Sequence, residues 1–124
     1  MINHLKEKFP SSFRCRADIA PEETDRYYRE VFSSDVFLAS TNAVTENGEL
    51  FNIDGTGNRV SAMIFGPKKV VLVVGSNKIV ADLDEAQERV SKLSAPANAL
   101  RLGIETSCSK CGECVNCDND NRIC

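Results

Sequence analysis

No stretch of this chain holds the roughly eighteen consecutive apolar residues that a membrane-spanning helix needs. A secretory signal is lacking too, because the N-terminal MINHLKEKF has no apolar core. Nor is there an excess of positive charge. Fifteen Lys and Arg stand against 18 Asp and Glu, for a net charge of −3, whereas nucleic-acid binders usually carry a basic face. Lys6, Lys8, Arg14 and Arg16 make the N-terminus locally basic, but Glu7 and Asp18 are interspersed, which is the pattern of a solvated surface. The only histidine, His4, lies near the terminus and reads as a surface residue. Neither a His–Ser–Asp set nor a paired-carboxylate constellation stands out, and no internal repeat is visible. These absences point to a cytoplasmic protein that neither spans a membrane nor binds nucleic acid.

What is present is a globular composition, 42% hydrophobic and 27% charged, in 124 residues, enough for one domain. Pro21-Glu22-Glu23 opens a helix with Tyr27, Tyr28, Val31 and Phe32 on its apolar side. Val36–Ala39 is a short apolar run that suits a strand covered on both faces. Asn47-Gly48, between 43–45 and 50–53, predicts a hairpin with a type I′ turn. The glycine-rich NIDGTGNR then leads into a helix whose inner face would be Val60, Met63 and Ile64, stopped by Gly66-Pro67. KVVLVV, residues 69–74, has no polar alternation, as expected of an interior strand in a parallel sheet. Asp82 with Glu85 resembles a capping box ahead of a buried stripe of Leu83, Ala86, Val90 and Leu93. Ser94 is placed to cap a further short helix that Gly103 stops. Residues 1–20 show no clear pattern.

Helices alternating with buried strands predict an α/β fold, an open and mostly parallel sheet with flanking helices over 1–107. About four strands are few for such a sheet and leave an edge beside the strongest one. Either the domain is a shortened one, the reading favoured here, or another chain completes it, as in a homo-oligomer.

Residues 108–124 form a separate cysteine-rich tail, CSKCGECVNCDNDNRIC, carrying five of the six cysteines. In a reducing cytoplasm structural disulfides are uncommon, which turns the reading toward metal. Cys108, Cys111 and Cys114 are spaced as in the three-ligand run of bacterial ferredoxins, with Cys124 or Cys117 as a fourth ligand, although the usual Cys-Pro ending is missing. An iron–sulfur cluster is the first expectation and zinc its rival. Reduced thiols or a disulfide pair stay open. Cys15 is distant in sequence and reads as packed.

The stretch from DVFLAS to NKIV, followed by SAPANALRLG and the terminal RIC, resembles the LUD family of lactate-utilisation proteins, the LutC-like group, from about Asp35 to Cys124. Typical members are longer at both ends. The resemblance implies an α/β fold of the sugar-phosphate isomerase and CoA-transferase type. It also implies a role in oxidising L-lactate to pyruvate with iron–sulfur or other oxidoreductase partner subunits. Four thiols, those of Cys108, Cys114, Cys117 and Cys124, match cysteines the family generally keeps.

A ligand site is expected around Asp54, Gly55, Thr56, Gly57, Asn58 and Arg59, where glycines allow close backbone approach and a guanidinium fork suits a carboxylate. Lys78, beyond the strong strand, and Asn42, after the first, would face the same crevice at the strand C-termini. Many sugar-phosphate isomerases carry an acid where Asn42 stands. An amide is no general base, which argues against isomerase chemistry.

Overall fold

The computed structural model describes residues 1–124 and is an α/β structure with a small sheet. The helices are α1 (Ile2–Lys8), α2 (Thr24–Val31), α3 (Asn58–Phe65), α4 (Leu83–Arg89), α5 (Ala95–Arg101) and α6 (Ser107–Cys111). The strands are β1 (Val36–Ala39), β2 (Ala43–Thr45), β3 (Leu50–Phe51), β4 (Lys69–Leu72) and β5 (Ile79–Val80). No helix is long and apolar enough to cross a membrane.

Two segments run side by side in parallel. β1 pairs with β4, Val36 opposite Lys69 and Ala39 opposite Leu72. Further on, β2 pairs with β5, Val44 opposite Ile79. Between these two ladders the pairing is interrupted, by residues 40–42 on one segment and 73–78 on the other. β3 adds to β2 antiparallel, giving the order β3-β2-β5. The core is small: Ala43, Val80 and Ala86 pack together with Phe51 against them.

Several sequence expectations change in detail. KVVLVV is not an interior strand. β4 ends at Leu72 and has β1 as its one neighbour, so Val71 stays 46% exposed. Val36, likewise, is exposed rather than covered. In α3 the buried residue is Ala62, while Ile64 is 79% and Phe65 87% exposed, because one short helix on one strand pair has nothing on its far side. Gly66 does end that helix, and a Cβ on it would lie 2.3 Å from the Ala62 carbonyl oxygen. The hairpin forms without the type I′ turn. Only Gly48 takes positive φ (87°), and its N–H donates to Thr45 O at 2.9 Å, while Thr45 N–H donates to Glu49 O. That is a turn followed by a left-handed glycine bulge.

Asp82 caps α4 as expected, accepting from Glu85 N–H at 2.9 Å, and Glu85 reaches back to Ala81 N–H at 2.6 Å. The stripe behind it holds at Ala86 and Val90 but not at Leu83 or Leu93. Residues Val90–Ser94 form a π-helical turn that joins α4 to α5, and its wider winding rotates Leu93 outward. Ser94 caps nothing. α5 ends in a Schellman motif, with Gly103 at φ 65°, its N–H on Leu100 O and Ile104 N–H on Ala99 O.

The N-terminal third packs loosely. α1 and α2 bury no residue completely, and Pro21–Glu23 forms a 3-10 turn before α2.

Candidate functional site

The break between the two parallel ladders leaves the carbonyls of Ser40, Thr41 and Asn42 without strand partners. A different cation takes each one. Arg59 Nη1 donates to Ser40 O (2.6 Å), Lys78 Nζ to Thr41 O (2.8 Å) and Arg89 Nη1 to Asn42 O (2.7 Å). These three side chains come from α3, from the 3-10 turn before β5, and from α4. Ordinary backbone acceptors thereby gather three positive charges at one point.

Arg59 is held by the chain itself. Its Nε and Nη2 donate to Asp54 Oδ1 at 2.9 and 2.6 Å, Nη1 also donates to Asn52 Oδ1, and Nη2 to Asn42 Oδ1. All five of its N–H donors thus have partners. Asp54 also accepts from Val60 N–H at 2.7 Å, and its side chain is only 8% exposed against 25% for Arg59.

Lys78 and Arg89 differ from Arg59 in having no acidic partner. Lys78 Nζ reaches Ser40 Oγ at 2.9 Å besides Thr41 O. Its pKa lies below the ordinary lysine value, first because burial disfavours the ammonium and then because Arg89 and Arg59 stand near. Arg89 donates from Nε to Asn77 O and from Nη1 to Ser94 Oγ, which leaves Nη2 without a partner. One carboxylate among three cations leaves a local excess of positive charge in a half-buried place. Such a place favours a bound anion.

The glycine loop is divided among three neighbours. Asp54 serves Arg59. Gly55 lies under the tail, where a Cβ would come 3.1 Å from Ile123 O. Thr56 and Asn58, hydrogen-bonded to each other, line an open groove of about 500 Å³ with Tyr28 and Arg29 of α2. Gly57, at φ 71°, precedes α3. The structure therefore brings Asn42, Asp54, Arg59 and Lys78 together and turns Gly55, Thr56 and Asn58 elsewhere. Sequence reasoning missed Arg89. Its signal was register: it stands three residues after buried Ala86 and beside buried Val90, an inward position where arginine is unusual.

The tail folds back on the body. α6 opens with a capping box between Thr106 and Ser109 and ends at left-handed Gly112. Cys114 N–H then donates to Ser91 O at 2.8 Å. Cys108, Cys117 and Cys124 line one cavity of about 40 Å³ together with Asn42, Ser94 and Arg122. Arg122 closes the last loop by donating to Cys124 O and Cys117 O.

All six cysteines are free thiols. Sulfur donors suit iron or zinc by type, and Cys108, Cys117 and Cys124 line one cavity as separate thiols. No group of three or more His, Cys, Asp or Glu residues is drawn together as a metal site. Cys108 instead shares a hydrogen bond with Thr106 Oγ1, Cys111 donates to Glu113 O, and Cys114 Sγ accepts from Asn116 N–H.

The LUD domain model matches residues 2–124. This extends the resemblance beyond Asp35 to nearly the whole chain. No curated protein and no solved structure matches it.

Proposed function

Because the chain belongs to the LUD domain family, we propose that it is a component of L-lactate utilisation that binds a small carboxylate between Lys78 and Arg89. The supporting observation is that three cations converge on three successive carbonyls while one carboxylate, Asp54, stands among them. Arg59 and Asp54 build the wall. Asn42 Oδ1 orients Arg59 and also accepts from Ile53 N–H. Lys78 and the unpartnered Nη2 of Arg89 supply charge and donors to the ligand. Lactate and pyruvate each carry one carboxylate, the charge that such a place takes. In this reading the fold is a reduced form of the sugar-phosphate isomerase and CoA-transferase type. The protein works in the cytoplasm with iron–sulfur or other oxidoreductase subunits.

The tail is the candidate for an inorganic centre, an iron–sulfur cluster first and zinc second. Gripping either requires Cys114, Cys117 and Cys124 to close toward Cys108. The second reading, a binding or scaffold subunit with structural zinc, draws support from the tail's seat on Ser91 and Gly55.

Thermal denaturation with lactate, pyruvate or acetate tests the carboxylate site. Binding raises the midpoint, about 4 °C for each kcal/mol gained, and Arg89→Ala abolishes the rise. A rise that survives in Arg89→Ala sinks the assignment. Anaerobic purification tests the tail: iron with acid-labile sulfide supports electron transfer, stoichiometric zinc the scaffold, and neither element removes both.

A further inference from the structure

We propose that Lys78 Nζ forms a reversible imine with the ketone carbon of a small 2-oxo acid whose carboxylate is held by Arg89. This rests on the carboxylate reading of the same site and adds covalent chemistry to it.

The contacts of Lys78 serve a neutral amine as well as an ammonium. A neutral amine has two N–H donors and one lone pair. Here two acceptors are offered, Ser40 Oγ at 2.9 Å and Thr41 O at 2.8 Å, which leaves the lone pair free. No Asp or Glu is within ion-pair distance to hold the ammonium form. The charged groups facing it are Arg89 and Arg59, both cationic, with Asp54 already bonded to Arg59. Burial and neighbouring cations are the means by which a lysine becomes nucleophilic near neutral pH. Arg89 is anchored on Asn42 O, one residue along from the Thr41 carbonyl that anchors Lys78. The ketone and carboxylate carbons of a 2-oxo acid are directly bonded, so in this proposal a carboxylate on Arg89 keeps the ketone at the same end of the ligand.

The step balances without an oxidant. The lone pair of Lys78 attacks the ketone carbon, and the carbonyl electron pair moves to oxygen, which takes a proton as the nitrogen gives one up. The C–O bond of this carbinolamine then breaks as the nitrogen pair forms the C=N bond; the hydroxyl leaves as water with a proton from Ser40 Oγ, and the nitrogen's remaining proton returns to that oxygen. Ser40 Oγ makes no other bond to the chain than the one from Lys78, so its own proton is available to the departing hydroxyl. A 2-hydroxy acid has no ketone carbon and forms no imine. The site thereby separates the oxidised acid from the reduced one.

The test incubates the full chain with pyruvate and sodium cyanoborohydride, which reduces an imine to a stable amine, and reads intact mass and peptide map. The expected result is one adduct, on Lys78, with pyruvate and none with lactate. Labelling falls at least tenfold in Arg89→Ala and disappears in Lys78→Arg, which keeps the charge. Its rate rises with pH about a midpoint below that of an exposed lysine, since only the unprotonated amine attacks. Adducts spread evenly over the surface lysines overturn the imine. So does an absence of adduct while lactate and pyruvate still raise the melting midpoint, an outcome that leaves the carboxylate reading standing. Absence of both the adduct and the rise overturns the two together.

Discussion

Arg59 shows how a functional-looking residue is absorbed by its own surroundings. A guanidinium with five engaged donors and a carboxylate 2.6 Å away is a strut, holding Ser40, Asn42, Asn52 and Asp54 in one arrangement. Its partner Asp54 is nearly buried, so removing the negative charge leaves a half-buried cation uncompensated. Asp54→Asn is expected to cost about 2 kcal/mol, below the range for fully buried pairs because Arg59 is a quarter exposed. Arg59→Lys should cost a similar amount, since a single ammonium cannot span four acceptor groups. Denaturant unfolding measures both, and a loss under half a kcal/mol for either would refute the strut. Lys78 and Arg89 have the opposite character. Neither has an acid beside it, and Arg89 keeps Nη2 free, which is why they and not Arg59 are proposed for the ligand.

Single elements were read well where the deciding chemistry is local. The Asp82 cap, the Gly103 stop and the Gly66 break depend on neighbours within a few residues, and all three stand. The hairpin was legible too, though its turn type was not, because Asn47 keeps negative φ and Gly48 alone takes the left-handed region. The buried stripe of α4 failed at Leu93, where the π turn shifts the phase by a residue, something an apolar pattern with period 3.6 does not encode. KVVLVV misled because hydrophobicity reports what a strand could bury, and here the covering layer is absent. Of the site, Asn42, Asp54, Arg59 and Lys78 were found as chemical types, but which of them keeps free donors depends on partners up to 47 residues distant. The two glycines that shape the elements should respond differently to substitution. Gly48→Ala meets open space and suffers only the left-handed φ, about 1 kcal/mol. Gly66→Ala drives a Cβ into the Ala62 carbonyl and should lose about 3 kcal/mol. Equal losses by chemical denaturation would contradict the contact at Gly66.

Across the whole molecule the cysteine tail lies against the body. Ile123 lies over Gly55, Cys114 is bonded to Ser91, and Cys108 is 7% exposed in the wall of the cavity that Cys117 and Cys124 also line. A methyl group at Gly55 has to push the Ile123 carbonyl outward by a few tenths of an ångström. Gly55→Ala is therefore expected to speed alkylation of Cys108 severalfold while leaving the exposed Cys111 unchanged, as read by mass spectrometry over time. Unaltered Cys108 kinetics would show that the tail's end does not guard it.

The three hydrogen bonds that fill the interrupted ladder join residues 19, 37 and 47 positions apart. Each brings in an arm made by a separately winding piece of backbone, and contacts of such separation form only after much loop-closure entropy has been lost. Until the chain has emerged as far as Arg89, the third carbonyl has no cation to receive. The interrupted ladder is therefore expected to close late in refolding, after the local turns and caps have formed.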